Sequence, residues 1–196
     1  MDNANINKTY WEQRYENGET GWDTGEVSPP FKAYIDQITN KDLSILIPGC
    51  GSAYEAEYLH DNGFHNVTVI DVVGAILEEF IERCPKFPPG NVILGDFFTH
   101  IGRYDLILEQ TFFSSISPKL RTVYAKKVSD LLVDGGKMAG VLFDFESDTG
   151  PPYGGSMQEY EKCFNHLFNV RTLEACHNSN ESWQGLEVFI ILEKSN

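Results

Sequence analysis

The chain reads as an α/β protein: one mostly parallel, seven-stranded sheet with helices on both faces and a C-terminal antiparallel hairpin. Three observations lead there. From residue 43 short β-rich runs alternate with longer helical ones, as in successive βαβ units. The last two β-rich runs are joined by the short turn-like stretch His177–Gly185, too little chain for a parallel crossover. A length of 196 residues, of which 41% are hydrophobic, suits one domain burying roughly 70% of its unfolded surface.

Within that domain, residues 1–40 read as a helical lid and 41–196 as the sheet core. Tyr10, Trp11, Tyr15 and Trp22 crowd together, and Trp11 and Tyr15, four apart, share a face if the segment is helical. The turn-rich stretch Gly21–Pro30 leads to a short helix with Phe31, Tyr34, Ile35 and Ile38 at helical spacing. Strands are expected at Leu43–Ile47, Val67–Asp71, Val92–Leu94, Tyr104–Leu108 and Lys137–Phe143, with helices at 53–62, 73–84 and 118–132. The third of these helices is the best marked. Ser117 caps it, Pro118 suits its first turn, Leu120, Tyr124, Val128 and Leu131 share a face, and Gly135–Gly136 ends it. A fourth helix near 156–167 precedes the hairpin strands 169–175 and 186–193, placed at the sheet edge.

Charge and cysteine usage narrow the partners. Twenty-nine acidic against fifteen basic residues give a formal charge of −14, which repels phosphate backbones and anionic lipid headgroups, so no nucleic acid or membrane partner is expected. Cys50, Cys84, Cys163 and Cys176 lie far apart without a C-x-x-C pair, pointing to no zinc site, no disulfide framework and a reducing cytoplasm. The polar start MDNANINKTY and the short aliphatic run Val188–Leu192 show no signal, anchor or membrane span. His60, His65, His100, His166 and His177 have no ligand spacing, so no metal is expected. The chain is expected to act as a monomer.

The chemistry concentrates at strand ends. The first strand runs into Ile47-Pro48-Gly49-Cys50-Gly51-Ser52, a glycine turn feeding a helix N-terminus with free N–H donors. Asp71 closes the second strand, where an acid can accept both hydrogen bonds of a ribose diol. Such turns and acids also serve purely structural ends. The dinucleotide fingerprint is incomplete, because Tyr54 stands where its third glycine belongs. Gly95-Asp96-Phe97-Phe98 ends the third strand and suits an adenine, with a carboxylate for the exocyclic amine and a ring for the base face. Glu109-Gln110-Thr111-Phe112-Phe113 ends the fourth, beside the switch point of such a sheet, with Glu109 readable as a ligand contact or as a solvated loop acid.

These residues, with the run Tyr104-Asp105-Leu106-Ile107 and Gly150-Pro151-Pro152-Tyr153, resemble the thiopurine S-methyltransferase-like class of S-adenosylmethionine-dependent methyltransferases, and most closely its plant halide and thiol methyltransferase branch. The likeness runs from about Tyr10 to Lys194. It implies a Rossmann-like, seven-stranded class I methyltransferase sheet whose last two strands form a hairpin, with S-adenosyl-L-methionine as cofactor and a small-molecule methyl acceptor. It also implies that Trp11, Tyr15 and Trp22 cover the cofactor, Gly49 contacts it through the backbone, Asp71 holds the ribose, Asp96 and Phe97 hold the adenine, and Glu109 or Gln110 lies near the methionine end. Tyr15 stands where the family commonly has tryptophan. Read without the resemblance, these aromatics could equally form an ordinary core cluster.

The acceptor is less legible. Phe112, Phe113 and Tyr153, with the Gly150–Gly155 loop, could wall an acceptor pocket and would suit a polarisable sulfur, although Phe112 and Phe113 could also be core. No His–Asp pair or lysine stands at a strand end in the motif region, so soft nucleophiles that need no strong base, such as thiols, thiopurines or halides, are the expected acceptors and no catalytic residue is named. Two other readings stay open. Another adenosine-cofactor enzyme on the same sheet, such as a small reductase, is disfavoured by Tyr54 and by the lack of a Tyr-x-x-x-Lys pair. A non-catalytic adenosyl-binding module would show a sealed or missing acceptor pocket.

Overall fold

A computed structural model describes residues 6–147 and 149–195 of the chain; residues 1–5 of the expected lid lie outside the described residues. Seven strands, β1 (Ile45–Pro48), β2 (Val67–Asp71), β3 (Val92–Leu94), β4 (Tyr104–Gln110), β5 (Leu132–Phe143), β6 (Phe168–Ala175) and β7 (Glu187–Lys194), form one sheet in the order β3-β2-β1-β4-β5-β7-β6. The first five are parallel, while β7 runs antiparallel to both β5 and β6. The hairpin is therefore placed with its second strand inside the sheet and β6 at the edge. Strand order reverses between β1 and β4, and open sheets of this kind bind ligands above that point.

Alternation along the strands separates two apolar layers. Ile45, Ile47, Val67, Val69, Leu106, Leu108, Ala139 and Val141 belong to one, packed with Phe31 of α2 (Pro29–Ile35), Leu59 of α3 (Tyr54–Asp61) and Phe80 of α4 (Gly74–Arg83). Leu46, Ile70, Ile107, Met138, Leu142, Val188, Ile190 and Leu192 belong to the other, with Tyr124 and Val128 of α5 (Arg121–Leu131) and Tyr160 and Phe164 of α6 (Met157–Phe164). Ahead of the sheet stands α1 (Lys8–Glu16), opened by Asn7, whose Oδ1 accepts from the Tyr10 N–H at 3.1 Å. No helix of the described residues is long and apolar enough to cross a membrane.

Two expectations at residues 104–143 are corrected. The helix expected at 118–132 opens with a 3₁₀ turn, Pro118–Leu120, to which the Ser117 side chain donates no cap, and it ends at Leu131 without the help of Gly135–Gly136. Those glycines lie inside β5, where the register with β4 passes from Tyr104↔Leu132 to Leu106↔Lys137. A Cβ at Gly136 would lie 2.9 Å from the Val133 carbonyl oxygen and 3.1 Å from that of Tyr104, so the bulge admits only glycine there. Likewise β4 continues to Gln110, and Glu109 and Gln110 are strand residues facing opposite sides of the sheet.

Candidate active site

The turn after β1 is built on left-handed backbone. Gly49 and Gly51 have φ of 55° and 50°, and Ala53, which opens α3, has φ of 56°. At Gly49 a Cβ would also fall 2.2 Å from the Phe112 ring, so the aromatic side chain after β4 rests directly on the turn. Asp71 locks the same turn from β2. Its Oδ2 accepts from the Gly51 N–H and its Oδ1 from the Val73 N–H, each at 3.0 Å. Burial raises the pKa of Asp71, and those amide bonds oppose the rise. With two acceptor sites on each carboxylate oxygen, Asp71 keeps acceptor capacity for a ribose hydroxyl beside these amide bonds.

Asp96, exposed at the end of β3, accepts from the Phe98 N–H through Oδ1 at 2.8 Å. Phe97 is buried, packed edge-on against Phe98 (ring centroids 5.5 Å apart) and Phe112 (5.3 Å). Gln110 faces the N-terminal segment, and its Oε1 accepts from the Ser28 hydroxyl at 3.0 Å. Of the pair offered for the methionine end, Gln110 is the one that lines the cavity. Glu109 is corrected: it faces the other side of the sheet, fully buried, where its Oε1 accepts from the Phe113 N–H at 2.8 Å and its Oε2 from the Tyr124 hydroxyl. Burial pushes its pKa up to about 7 against the pull of those bonds. It is neither a ligand contact nor a solvated loop acid.

The acceptor candidates also separate. Phe112 lines the cavity, but Phe113, 1% exposed, packs on Tyr124 and Tyr160 as core. Tyr153 is buried with its N–H on the Ser114 carbonyl at 2.7 Å, and its neighbours Pro151 and Pro152 reach the cavity instead. Helical and turn geometry sends adjacent residues in different directions, which a run such as Phe112-Phe113 cannot announce. The sequence reading missed Phe143, Trp183 and Glu187, all cavity-lining.

Over the strand ends lies the N-terminal segment. Trp11 and Trp22 meet edge-to-face at 5.5 Å, Tyr15 and Trp22 at 5.7 Å, and all three rings line the cavity. The segment is tied down by the Ser28 N–H on Glu55 Oε1 at 3.2 Å and by the Ser52 hydroxyl on Asp23. Burial and then the neighbouring Asp71 carboxylate raise the pKa of the Tyr15 hydroxyl, which therefore stays protonated. Arg14, 5.7 Å over the Trp22 ring and paired with Glu19 at 3.2 Å, keeps a buried Nε without a partner.

Together these groups enclose about 830 Å³ between the lid and the carboxyl ends of β1 to β5. S-adenosylmethionine fits this donor set. It has free acceptor sites at Asp71 and Asp96 for ribose and adenine, aromatic faces for a desolvated sulfonium, and an orphaned Arg14 N–H on the wall for a carboxylate. The space runs on past Gln110 to Phe143, Pro151 and Trp183, so room for an acceptor adjoins that for the cofactor.

Comparison with known proteins agrees with this geometry. Residues 6–194 match the family model for thiopurine S-methyltransferase. Relatives include a probable thiol methyltransferase 2 of Arabidopsis thaliana, 30% identical over 158 residues (78% of this chain, 70% of the relative), and a thiopurine S-methyltransferase of Bos taurus, 23% identical over 211 residues (94% and 86%). Among solved structures, the 1,6-didemethyltoxoflavin-N1-methyltransferase of Burkholderia thailandensis, with bound S-adenosylhomocysteine, superposes with a TM-score of 0.79 at 16% identity, covering 97% of this chain and 88% of that one. A magnesium protoporphyrin IX methyltransferase from Synechocystis PCC 6803 with bound S-adenosylmethionine gives a TM-score of 0.76 at 12% identity, covering both chains fully at 100%. The chain belongs to the thiopurine S-methyltransferase family of S-adenosylmethionine-dependent methyltransferases.

Proposed function

We propose that this enzyme methylates small soft nucleophiles, thiols or thiopurines first and halides as the third class the family resemblance implies, working as a monomer in a reducing cytoplasm with the whole chain as one catalytic unit. The observation that carries the acceptor class is the wall beyond Gln110. Phe112, Phe143, Trp183, Pro151 and Pro152 offer apolar, polarisable surface, and Phe143 and Trp183 pack tilted against each other with ring centroids 4.8 Å apart. An open acceptor space of this kind argues against a non-catalytic adenosyl-binding module. Four free cysteines accord with the reducing compartment.

When bound, the cofactor supplies an already activated methyl group on a sulfonium. The chain's own residues then have three tasks. Asp71 and Asp96 fix the nucleoside end, Arg14 and Lys8 are the cations on the cavity wall for its carboxylate, and Gln110 with Phe112 sets the boundary with the acceptor. Trp11, Tyr15 and Trp22 close over the reacting centre, excluding water and offering rings that stabilise a cation by ~0.5–2 kcal/mol each.

The test is a methyl-transfer screen at fixed pH with small thiols, a thiopurine, iodide, a catechol and a primary amine, read by mass spectrometry. Turnover of the sulfur acceptors supports the reading. Turnover confined to the catechol or the amine refutes the acceptor class while leaving the methyltransferase assignment intact.

A further inference from the structure

The acceptor half of the cavity holds one buried acid that the reaction as described does not use. Glu187 opens β7 and pairs with Phe143 at the end of β5. Because β7 is antiparallel, its first residue comes to the same sheet edge as the carboxyl ends of β4 and β5. The alternation along these strands puts Gln110, Phe143 and Glu187 on one face: Leu106, Leu108 and Val141 of that face pack under α2, as does Phe189, two residues beyond Glu187. Val188, Ile190 and Leu192 face the other way. Glu187 is thus third in a row across the cavity, after the group at the cofactor boundary and the aromatic wall. Its residue is 5% exposed and it lines the cavity.

Neighbouring groups sharpen the picture. On the segments around it, the titratable groups are Asp144 and the exposed Glu146 after β5, Cys176 and the exposed His177 after β6, Glu181 in the 180–183 turn, and Glu26 and Glu55 across the cavity. No lysine or arginine is among them, and His177 is exposed and does not line the cavity. The cavity's cations, Lys8 and Arg14, both sit on the lid helix. A small anion entering this half would meet a carboxylate, with the cavity's lining lysine and arginine held on the lid helix, whereas a neutral acceptor carrying an S–H would find a hydrogen-bond acceptor.

We propose that Glu187 is a catalytic residue of the acceptor site, taking the proton of a neutral thiol or thiopurine as its sulfur is methylated, and by its charge placing free inorganic anions last among acceptors. The step balances. The S–H bond breaks with its proton going to the Glu187 carboxylate, the sulfur lone pair forms the new S–CH3 bond, and the electrons of the broken methyl–sulfonium bond stay with the departing thioether. Glu187 then returns the proton to water. This rests on the soft-acceptor reading above and orders its members. Burial raises the carboxyl's pKa, which brings it closer to a thiol's than an exposed glutamate would be.

The size of the effect is bounded. A thiol with pKa of about 8.5 is only ~3% ionised at pH 7, so a base that removes this handicap is worth at most about 30-fold. The experiment compares wild type with Glu187→Gln on one small thiol and on iodide across pH 6 to 9.5, with S-adenosylhomocysteine affinity by calorimetry as the control for the fold. The expected result is a thiol kcat/KM lowered by roughly 10–30-fold at pH 7, converging on wild type as the pH passes the thiol's own pKa, with iodide turnover raised and cofactor affinity unchanged. Equal pH profiles for the two proteins overturn the proposal alone. A wild type that turns over no sulfur acceptor overturns the soft-acceptor reading and this with it. Should the variant not fold, two thiols of different pKa decide on wild type: rates at pH 7 that rise in step with thiolate fraction overturn the proposal, and rates independent of it support the base.

Discussion

Replacing Glu109 with glutamine isolates one buried charge. In the folded chain its carboxyl titrates at about 7, against 4.5 for an ordinary glutamate, because burial outweighs the hydrogen bonds from Tyr124 and the Phe113 N–H. The folded value lies above the unfolded one, so the carboxyl's contribution is intact below pH 4.5 and is lost as pH rises through 7. At ~1.4 kcal/mol per tenfold change, the full loss is about 3 kcal/mol, of which about 2–3 kcal/mol falls between pH 5 and pH 8. The glutamine keeps a carbonyl for the Phe113 N–H and can donate to the Tyr124 oxygen, so packing survives while the titration disappears. Urea denaturation followed by tryptophan fluorescence, at several pH values for both proteins, gives the difference free of other acids. Wild type should fall relative to Glu109→Gln as pH rises, with cofactor affinity unaffected because the side chain never reaches the cavity. A difference that stays flat from pH 5 to 8 refutes the burial argument.

Other expectations follow from the turn, the acid and the lid. Asp71→Ala strands the Gly51 and Val73 amides and removes the ribose acceptors, so thermal stability should drop by about 2–4 kcal/mol and S-adenosylhomocysteine affinity by about 1.5–3 kcal/mol in calorimetry; unchanged affinity refutes the ribose assignment. Gly49→Ala meets both a left-handed φ and the Phe112 ring, costing about 2–4 kcal/mol in chemical denaturation, and adding Phe112→Ala should recover the steric share but not the backbone share. Helix α1 has no fully buried residue, so amide exchange over residues 7–25 should slow when S-adenosylhomocysteine is added; equal exchange with and without it shows the aromatics to be plain packing.

What could be read from the chain alone was whatever local chemistry dictates. The glycine turn after β1 and the acid closing β2 were legible because left-handed backbone demands glycine and because a β-rich run ends where its alternation ends. The aromatic stripe Trp11–Tyr15 was legible as helical spacing. Direction was not. Whether Glu109 or Gln110 faces the ligand depends on where β4 stops, and one residue's difference exchanges the two faces. Phe112 and Phe113 divide between cavity and core by the same kind of small rotation. Gly135–Gly136 suits a helix stop and a β-bulge equally, and the pairing with β4 decides between them. Glu187 carried no local signal at all, since only the insertion of β7 between β5 and β6 brings it to the site.

A crystal structure of the complex with S-adenosylhomocysteine reads the site directly. The ribose hydroxyls should lie within hydrogen-bond reach of Asp71, the adenine amine on Asp96, the carboxylate toward Arg14, and the sulfur beneath Trp11 and Trp22 facing the space before Phe143 and Glu187. A ribose placed beyond ~3.5 Å of both Asp71 oxygens, or an adenine away from Asp96, contradicts the account of where this fold holds its cofactor.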